Sequence, residues 1–280
     1  MRTILTQCVV AHRLGEQGLD PIQVKEWTRR VDLKTIKLVK GKERRGGFGA
    51  EFLSSFVFAM MLYMVIIGYG IMVMRGVMEE KSTRMVEVLL SSVSPMQMMV
   101  GKILGIGAAS LTQVAVWLGV AVLFSTSGSA LIGRKMPFSL EPETLIFFGL
   151  FFILGYFLYA TFYAMIGAIC DTEQDAQQIQ MIVILPLMIP LFLIIFIANN
   201  PSATASVVLS MIPLFLPVLM FVRINVLVPP AIEIFGSVVI LLATIAGVMW
   251  CTARIYRIGI LMKGKRATLR ELMRWVRYGQ

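Results

Sequence analysis

The sequence predicts an all-α integral membrane protein: five transmembrane helices plus a re-entrant helical hairpin, with one amphipathic helix between the first two spans and another at the C-terminus. Three observations predict it. Of 280 residues, 58% are hydrophobic and only 15% charged, where a soluble domain carries about 25%. Five apolar runs of bilayer length hold no Asp, Glu, Lys or Arg. One further apolar run is short and carries two prolines in its middle.

Residues 1–50 differ in kind from the rest. They carry eleven Lys or Arg and no membrane-length run. Lys34 to Lys40, KTIKLVK, alternates like a strand, and Gly46 to Gly49 reads as a hinge. The opening MRTILTQCVVAHRLGE has too short an apolar run for a cleavable signal peptide. Fifty residues are too few to build a good core alone, so the segment reads as the end of a larger domain.

The first span is Phe52 to Met74. A charged interruption follows, RGVMEEKSTRMVEVLLSSVSPMQMMVGK, Arg75 to Lys102. Its first half predicts a surface helix over 77–90. Met85, Val86, Leu89 and Leu90 form an apolar stripe, and Glu79, Glu80, Lys81, Arg84 and Glu87 lie largely away from it. Glu80 and Arg84 form an i,i+4 pair in the favourable order. A new helix starts at Pro95, with Ser94 as N-cap and Gln97 completing a capping box. The alternative reading is a solvated loop whose charges keep the helix from sliding into lipid.

The second span is Ile103 to Phe124, and the third, Leu145 to Cys170, is rich in aromatics. Asp171, Glu173, Gln174 and Asp175 form a polar loop between spans, read as a plain connection, as a surface for a partner, or as a mouth that attracts cations. The fourth span, Met181 to Ala198, contains Pro186 and Pro190; the fifth is Ile234 to Ala253. Between these two lies Val207 to Val222, 16 residues with Pro213 and Pro217 inside. Two prolines remove two helical hydrogen bonds, and broken backbone persists in a membrane only under cover of protein or a water-filled cavity. A re-entrant hairpin is expected there, with Arg223 at an interface where it reaches water. In the tail, Thr268 and Glu271 form a capping box. Leu269, Leu272, Met273 and Val276 make an apolar stripe, opposed by Arg270, Arg274 and Arg277. A helix lying on an anionic leaflet fits this pattern.

Several chemistries are excluded. Cys8, Cys170 and Cys251 have no metal-site spacing, His12 is the only histidine, and no metal site is expected. No catalytic motif is present. Gly101-Lys102 lacks the rest of a phosphate loop. The net charge of +10 belongs to membrane-flanking loops rather than to nucleic-acid binding.

Three separated stretches carry a family resemblance: VMRGVMEEKSTRMVEVLLSSVSPMQMMVGKILGIG, DTEQDAQQIQMIVILP and ARIYRIGILMKGKRATLRELMRW. In order and spacing they resemble ABC-2 type transporter permeases of the sodium- and drug-efflux branch. The resemblance implies a first transmembrane helix and most of an extracytoplasmic domain that this chain lacks. Residues 1–50 would then end that domain, and 51–280 form the transmembrane domain. It also implies a separate ATPase subunit that binds ATP, a second permease (the same chain or a relative), and a coupling role for residues 78–90. No cofactor is implied on this chain itself. A non-transporting scaffold or sensor that docks a soluble partner through the charged helix is the competing reading.

Orientation follows from the same resemblance. With five spans, residues 75–102 and the tail share the cytoplasmic side with twelve Lys or Arg. A six-span count would put 21 inside and five outside. Long translocated domains escape the charge rule, so the five-span arrangement is preferred. The spans offer Tyr63, Tyr69, Gln113, Tyr156, Tyr159, Thr161 and Tyr163 but no acid. This weighs against a dehydrated Na⁺ site in this chain and towards an amphipathic substrate.

Overall fold

The computed structural model describes residues 37–39, 42–44, 48–83, 92–132 and 142–260. The chain divides into two units, 1–47 and 48–280. In the first, β1 (Lys37–Val39) and β2 (Lys42–Arg44) pair antiparallel, with Leu38 opposite Glu43. The alternating stretch at Lys34 to Lys40 thus does contain a strand. The C-terminal amphipathic helix expected over 268–278 lies outside the described residues.

The regular elements among the described residues of the second unit are all helices. Its helices are α1 (Phe48–Ser82), α2 (Pro95–Ile132), α3 (Pro142–Ile169), α4 (Glu173–Asn199), α5 (Thr204–Met211), α6 (Leu216–Val226) and α7 (Ala231–Gly259). Five of them, α1, α2, α3, α4 and α7, are long and apolar enough to cross a bilayer. Each matches one of the expected spans, α3 ending at Ile169, one residue before the expected Cys170. Pro186 and Pro190 sit inside α4 without ending it. α2 starts as its sequence requires. The Ser94 amide donates to Gln97 Oε1 at 2.9 Å, and the Gln97 amide donates to Ser94 Oγ at 3.3 Å.

α3 is the most buried span and the centre of the bundle. Its Phe148 ring packs on Phe58 of α1 at 5.2 Å and on Phe221 of α6 at 5.6 Å. Close approach needs small residues. A methyl group at Gly167 would stand 2.6 Å from the Met74 carbonyl oxygen, so only glycine lets α1 and α3 meet there.

The prolines of the short run break it where expected. α5 and α6 are two short helices, with Pro213 in the link and Pro217 in the first turn of α6. Tyr159, in the middle of α3, donates to the Leu214 carbonyl in that link at 2.6 Å. The tip therefore reaches mid-bundle, and its freed carbonyl is satisfied by protein. Both ends of the hairpin lie at one end of the bundle. Arg223 of α6 donates through Nε to the Pro201 carbonyl at 3.1 Å, and through Nη2 to Glu233 at 2.8 Å. Pro201 follows α4, and Glu233 opens α7. Asn225 donates to Ser54 and Ser55 near the start of α1. The run therefore turns back rather than crossing.

One expectation is corrected at this end. Arg223 does not reach water: its side chain is 3% exposed, paired with Glu233 and bonded to Ser210 Oγ at 2.9 Å. A guanidinium has five donors in a fixed fork, and here the surrounding chain ends supply the acceptors that solvent was expected to give.

Candidate functional site at the charged end of the bundle

The charged interruption and the polar loop meet at the opposite end, where α1 and α3 finish and α2 and α4 begin. α1 does not stop before the charges. It continues unbroken through Glu79, Glu80 and Lys81 to Ser82, so a separate surface helix starting at Val77 is not formed. The reason is packing. Val73, Met74, Val77 and Met78 continue the buried face of α1 past Arg75 and Gly76, and nothing in that stretch breaks a helix.

Lys81 falls on this buried face rather than on the polar one, and is 4% exposed. Its ammonium donates to the Ala168 carbonyl at 3.0 Å and to the Cys170 carbonyl at 3.5 Å, and lies 2.7 Å from Asp171 Oδ1. These acceptors sit at the C-terminal end of α3, where helix carbonyls lack intrahelical partners and the macrodipole is negative. A buried ammonium is tolerated only when its donors are used, and here all three have an acceptor.

Glu80 faces the other way. Its Oε1 pairs with Lys102 Nζ of α2 at 2.7 Å, and the Lys102 side chain lies across Gly76. Arg84, its expected partner, lies outside the described residues, as does Glu87. Glu80 Oε2 and the Tyr256 hydroxyl of α7 are buried with no hydrogen-bond partner among the described residues. Glu79 is exposed, and its carbonyl accepts from Ser82 and Thr83.

The four residues of the polar loop separate. Asp171 joins Lys81. Thr172 caps α4, its Oγ1 accepting from the Asp175 amide at 3.2 Å. Glu173 and Gln174 are exposed in the first turn of α4, and Asp175 is half-buried. Acidic side chains suit a helix N-terminus. Among the described residues, no three His, Cys, Asp or Glu side chains gather as metal ligands. Pro213 and Pro217 belong to the hairpin and take no part here; Pro217 packs against Gly155 of α3. Lys102 is the residue that sequence reasoning missed. Its signal was a lone charge directly before the second span, past the Pro95 start of the helix that carries it.

Most intramembrane hydroxyls serve packing. Tyr69 donates to Gln113, joining α1 to α2. Tyr156 donates to the Ile103 carbonyl at 2.8 Å, and Thr161 to the Phe157 carbonyl at 2.7 Å.

Five apolar spans, a protein-covered break at mid-depth and ion pairs tying the span ends together define a multi-pass membrane protein. The chain belongs to the ABC-2 family transporter proteins, whose family pattern it matches over residues 22–254. It is therefore a permease component of the cell membrane rather than a catalytic subunit, in a family that works with an ATPase. It is similar to the uncharacterized protein YhaP of Bacillus subtilis, 30% identical over 99% of this chain and 68% of YhaP. It is likewise 30% identical to an uncharacterized protein of Methanocaldococcus jannaschii, over 81% of this chain and 56% of that protein. The chain thus spans about two thirds of the first relative and just over half of the second. No solved structure matches it.

Proposed function

We propose that the chain is the permease half of an ATP-driven exporter, pairing with a separate ATPase at the charged end of the bundle and with a second permease in the membrane. The observation that carries this reading is the buried Lys81. Through it the end of α1 is fixed to the end of α3 and to Asp171, which leads into α4. Glu80 fixes the same turn of α1 to α2.

A partner that pushes on Glu79, Arg84 and Glu87 would move four span ends together. The far ends are held by the Arg223 and Asn225 contacts, so the push would tilt the spans rather than shift the bundle. That is a two-state gate whose balance a nucleotide-driven partner sets. With no acid inside the five charge-free runs read from the sequence, an amphipathic small molecule fits the path better than bare Na⁺.

The test is purification of the full chain from native membranes in mild detergent, followed by identification of copurifying proteins. A nucleotide-hydrolysing subunit that is lost when Glu79 and Glu87 are changed to Lys supports the proposal. A chain that retains a soluble partner without nucleotide-hydrolysing activity is a scaffold or sensor instead.

A further inference from the structure

α1 and α7 converge at the charged end without packing on each other along their lengths. Each packs on α2 and on α3 instead. They meet at one carbonyl. Ala168 of α3 accepts from Lys81 of α1 at 3.0 Å, and a methyl group at Gly259 of α7 would stand 2.9 Å from the same oxygen.

Glu80 and Tyr256 lie in this convergence, one residue before Lys81 and one turn before Gly259. Lys102 takes one carboxylate oxygen of Glu80, Oε1, at 2.7 Å. The other, Oε2, is buried and has no hydrogen-bond partner among the described residues; neither has the buried Tyr256 hydroxyl. The Glu80 carboxylate is close enough to act electrostatically on that hydroxyl. A phenol donates and a carboxylate accepts, so the two unmet groups are complementary. Each carries its desolvation cost in full while unmet. A bond between them would remove both costs, and it is of the strong, charge-assisted kind.

We propose that Tyr256 is a positioning residue of the gate: in the second state its hydroxyl donates to Glu80 Oε2 and ties α7 to the turn of α1 that already holds α2 and α3. The structure shows the state in which that bond is open. Closing it takes an approach of α7 to α1 about their shared seat at Ala168. Tyr256, Glu80 and Lys102 then form one chain across α7, α1 and α2, so a displacement of the Glu80 turn reaches α7 as well as α2. The inference rests on the charged end being driven between two states, as proposed above, and not on what drives it.

Ser82→Cys and Arg257→Cys, both at exposed positions, carry spin labels in a full chain without Cys8, Cys170 and Cys251. Distances between the labels are measured in lipid nanodiscs, with and without the copurifying partner and nucleotide. Two populations are expected. Tyr256→Phe should reduce the shorter one roughly tenfold or more relative to the longer. It should leave the melting temperature of the chain equal or raised, since the hydroxyl is unmet in the open state. Tyr256→Phe added to Glu80→Gln should change nothing further, because the pair acts as a unit. Thr252→Val is the control. It removes another buried hydroxyl with no partner among the described residues, one turn away on α7, and should leave the populations as they are. A single distance in every condition overturns the proposal. So does a shorter population that survives Tyr256→Phe, an additive effect in the double variant, or an equal loss in Thr252→Val. A lower melting temperature for Tyr256→Phe overturns it too, since the hydroxyl would then be bonded already. Two populations that respond to Tyr256→Phe but not to nucleotide support the proposal and count against the exporter reading alone.

Discussion

Lys81 Nζ lies 2.7 Å from Asp171 Oδ1, and this ion pair joins two polar stretches that are separate in the sequence. It places the charged interruption and the polar loop in one network at one end of the bundle. The pair is asymmetric: Lys81 is buried, whereas Asp171 is 30% exposed. Removing the acid therefore costs more than its own contact, because it strands a buried ammonium.

Asp171→Asn should lower stability in detergent by roughly 1–3 kcal/mol, measured by thermal or SDS-induced unfolding. Adding Lys81→Met should recover most of that loss, since the stranded charge is gone. If export depends on the pair for coupling, the double variant will be stable and still inactive. Wild-type stability in the single variant would mean that the water at Asp171 screens the pair.

Glu80→Gln and Lys102→Gln should share a phenotype, because each breaks the same link between α1 and α2. The expected outcome in reconstituted vesicles is continued ATP hydrolysis by the partner with export reduced at least about tenfold. Membrane insertion should be unchanged. Normal export in either variant would remove Glu80 from the coupling path.

The hairpin is tested by labelling single cysteines in a background without Cys8, Cys170 and Cys251. Ser206 and Asn225 are poor sites, the first buried and the second hydrogen-bonded to Ser54 and Ser55. Ser202 and Val228 are exposed on either side of α5 and α6. Both should react with an impermeant reagent from one side of the membrane, and Ser94→Cys from the other. Labelling of Val228→Cys only from the Ser94 side would show that the segment crosses.

Gly167→Ala should destabilise the bundle by about 1–3 kcal/mol, because the added methyl meets the backbone of α1 at Met74. Gly149→Ala on the same helix is the control. A Cβ there has nothing within 4 Å, so the better helix propensity of alanine should leave stability equal or slightly raised. Equal melting temperatures for the two variants would contradict the observed α1–α3 packing.

Tyr159→Phe removes the donor to the Leu214 carbonyl and leaves that oxygen unpaired at mid-depth. A loss of about 1 kcal/mol is expected, with faster amide hydrogen exchange confined to residues near the link of α5 and α6. Exchange unchanged there would mean that the apolar packing of Pro217 alone holds the tip.

The sequence by itself determined the five spans, the start of α2 and the break between α5 and α6. Uncharged runs of bilayer length can only be helices in lipid, because backbone groups there must pair within their own segment. Ser94, Pro95 and Gln97 marked the start of α2 through contacts made within one turn, and Pro213 and Pro217 marked the break through the donors they lack. All of this is local chemistry, legible without the fold. What only the tertiary structure decided is which charges meet. Lys81 sits one residue from Glu80, yet the two reach different helices, because about 100° of helical rotation separates them and α2 and α3 pack on different sides of α1. Glu80 pairs with Lys102 on another helix, well beyond its own turn of the chain. Arg223 looked like a residue seeking water and instead found Pro201, Ser210 and Glu233 around it. Partner choice for a charge depends on what the folded chain brings within about 3 Å, and spacing along a sequence carries that information only inside a single helix.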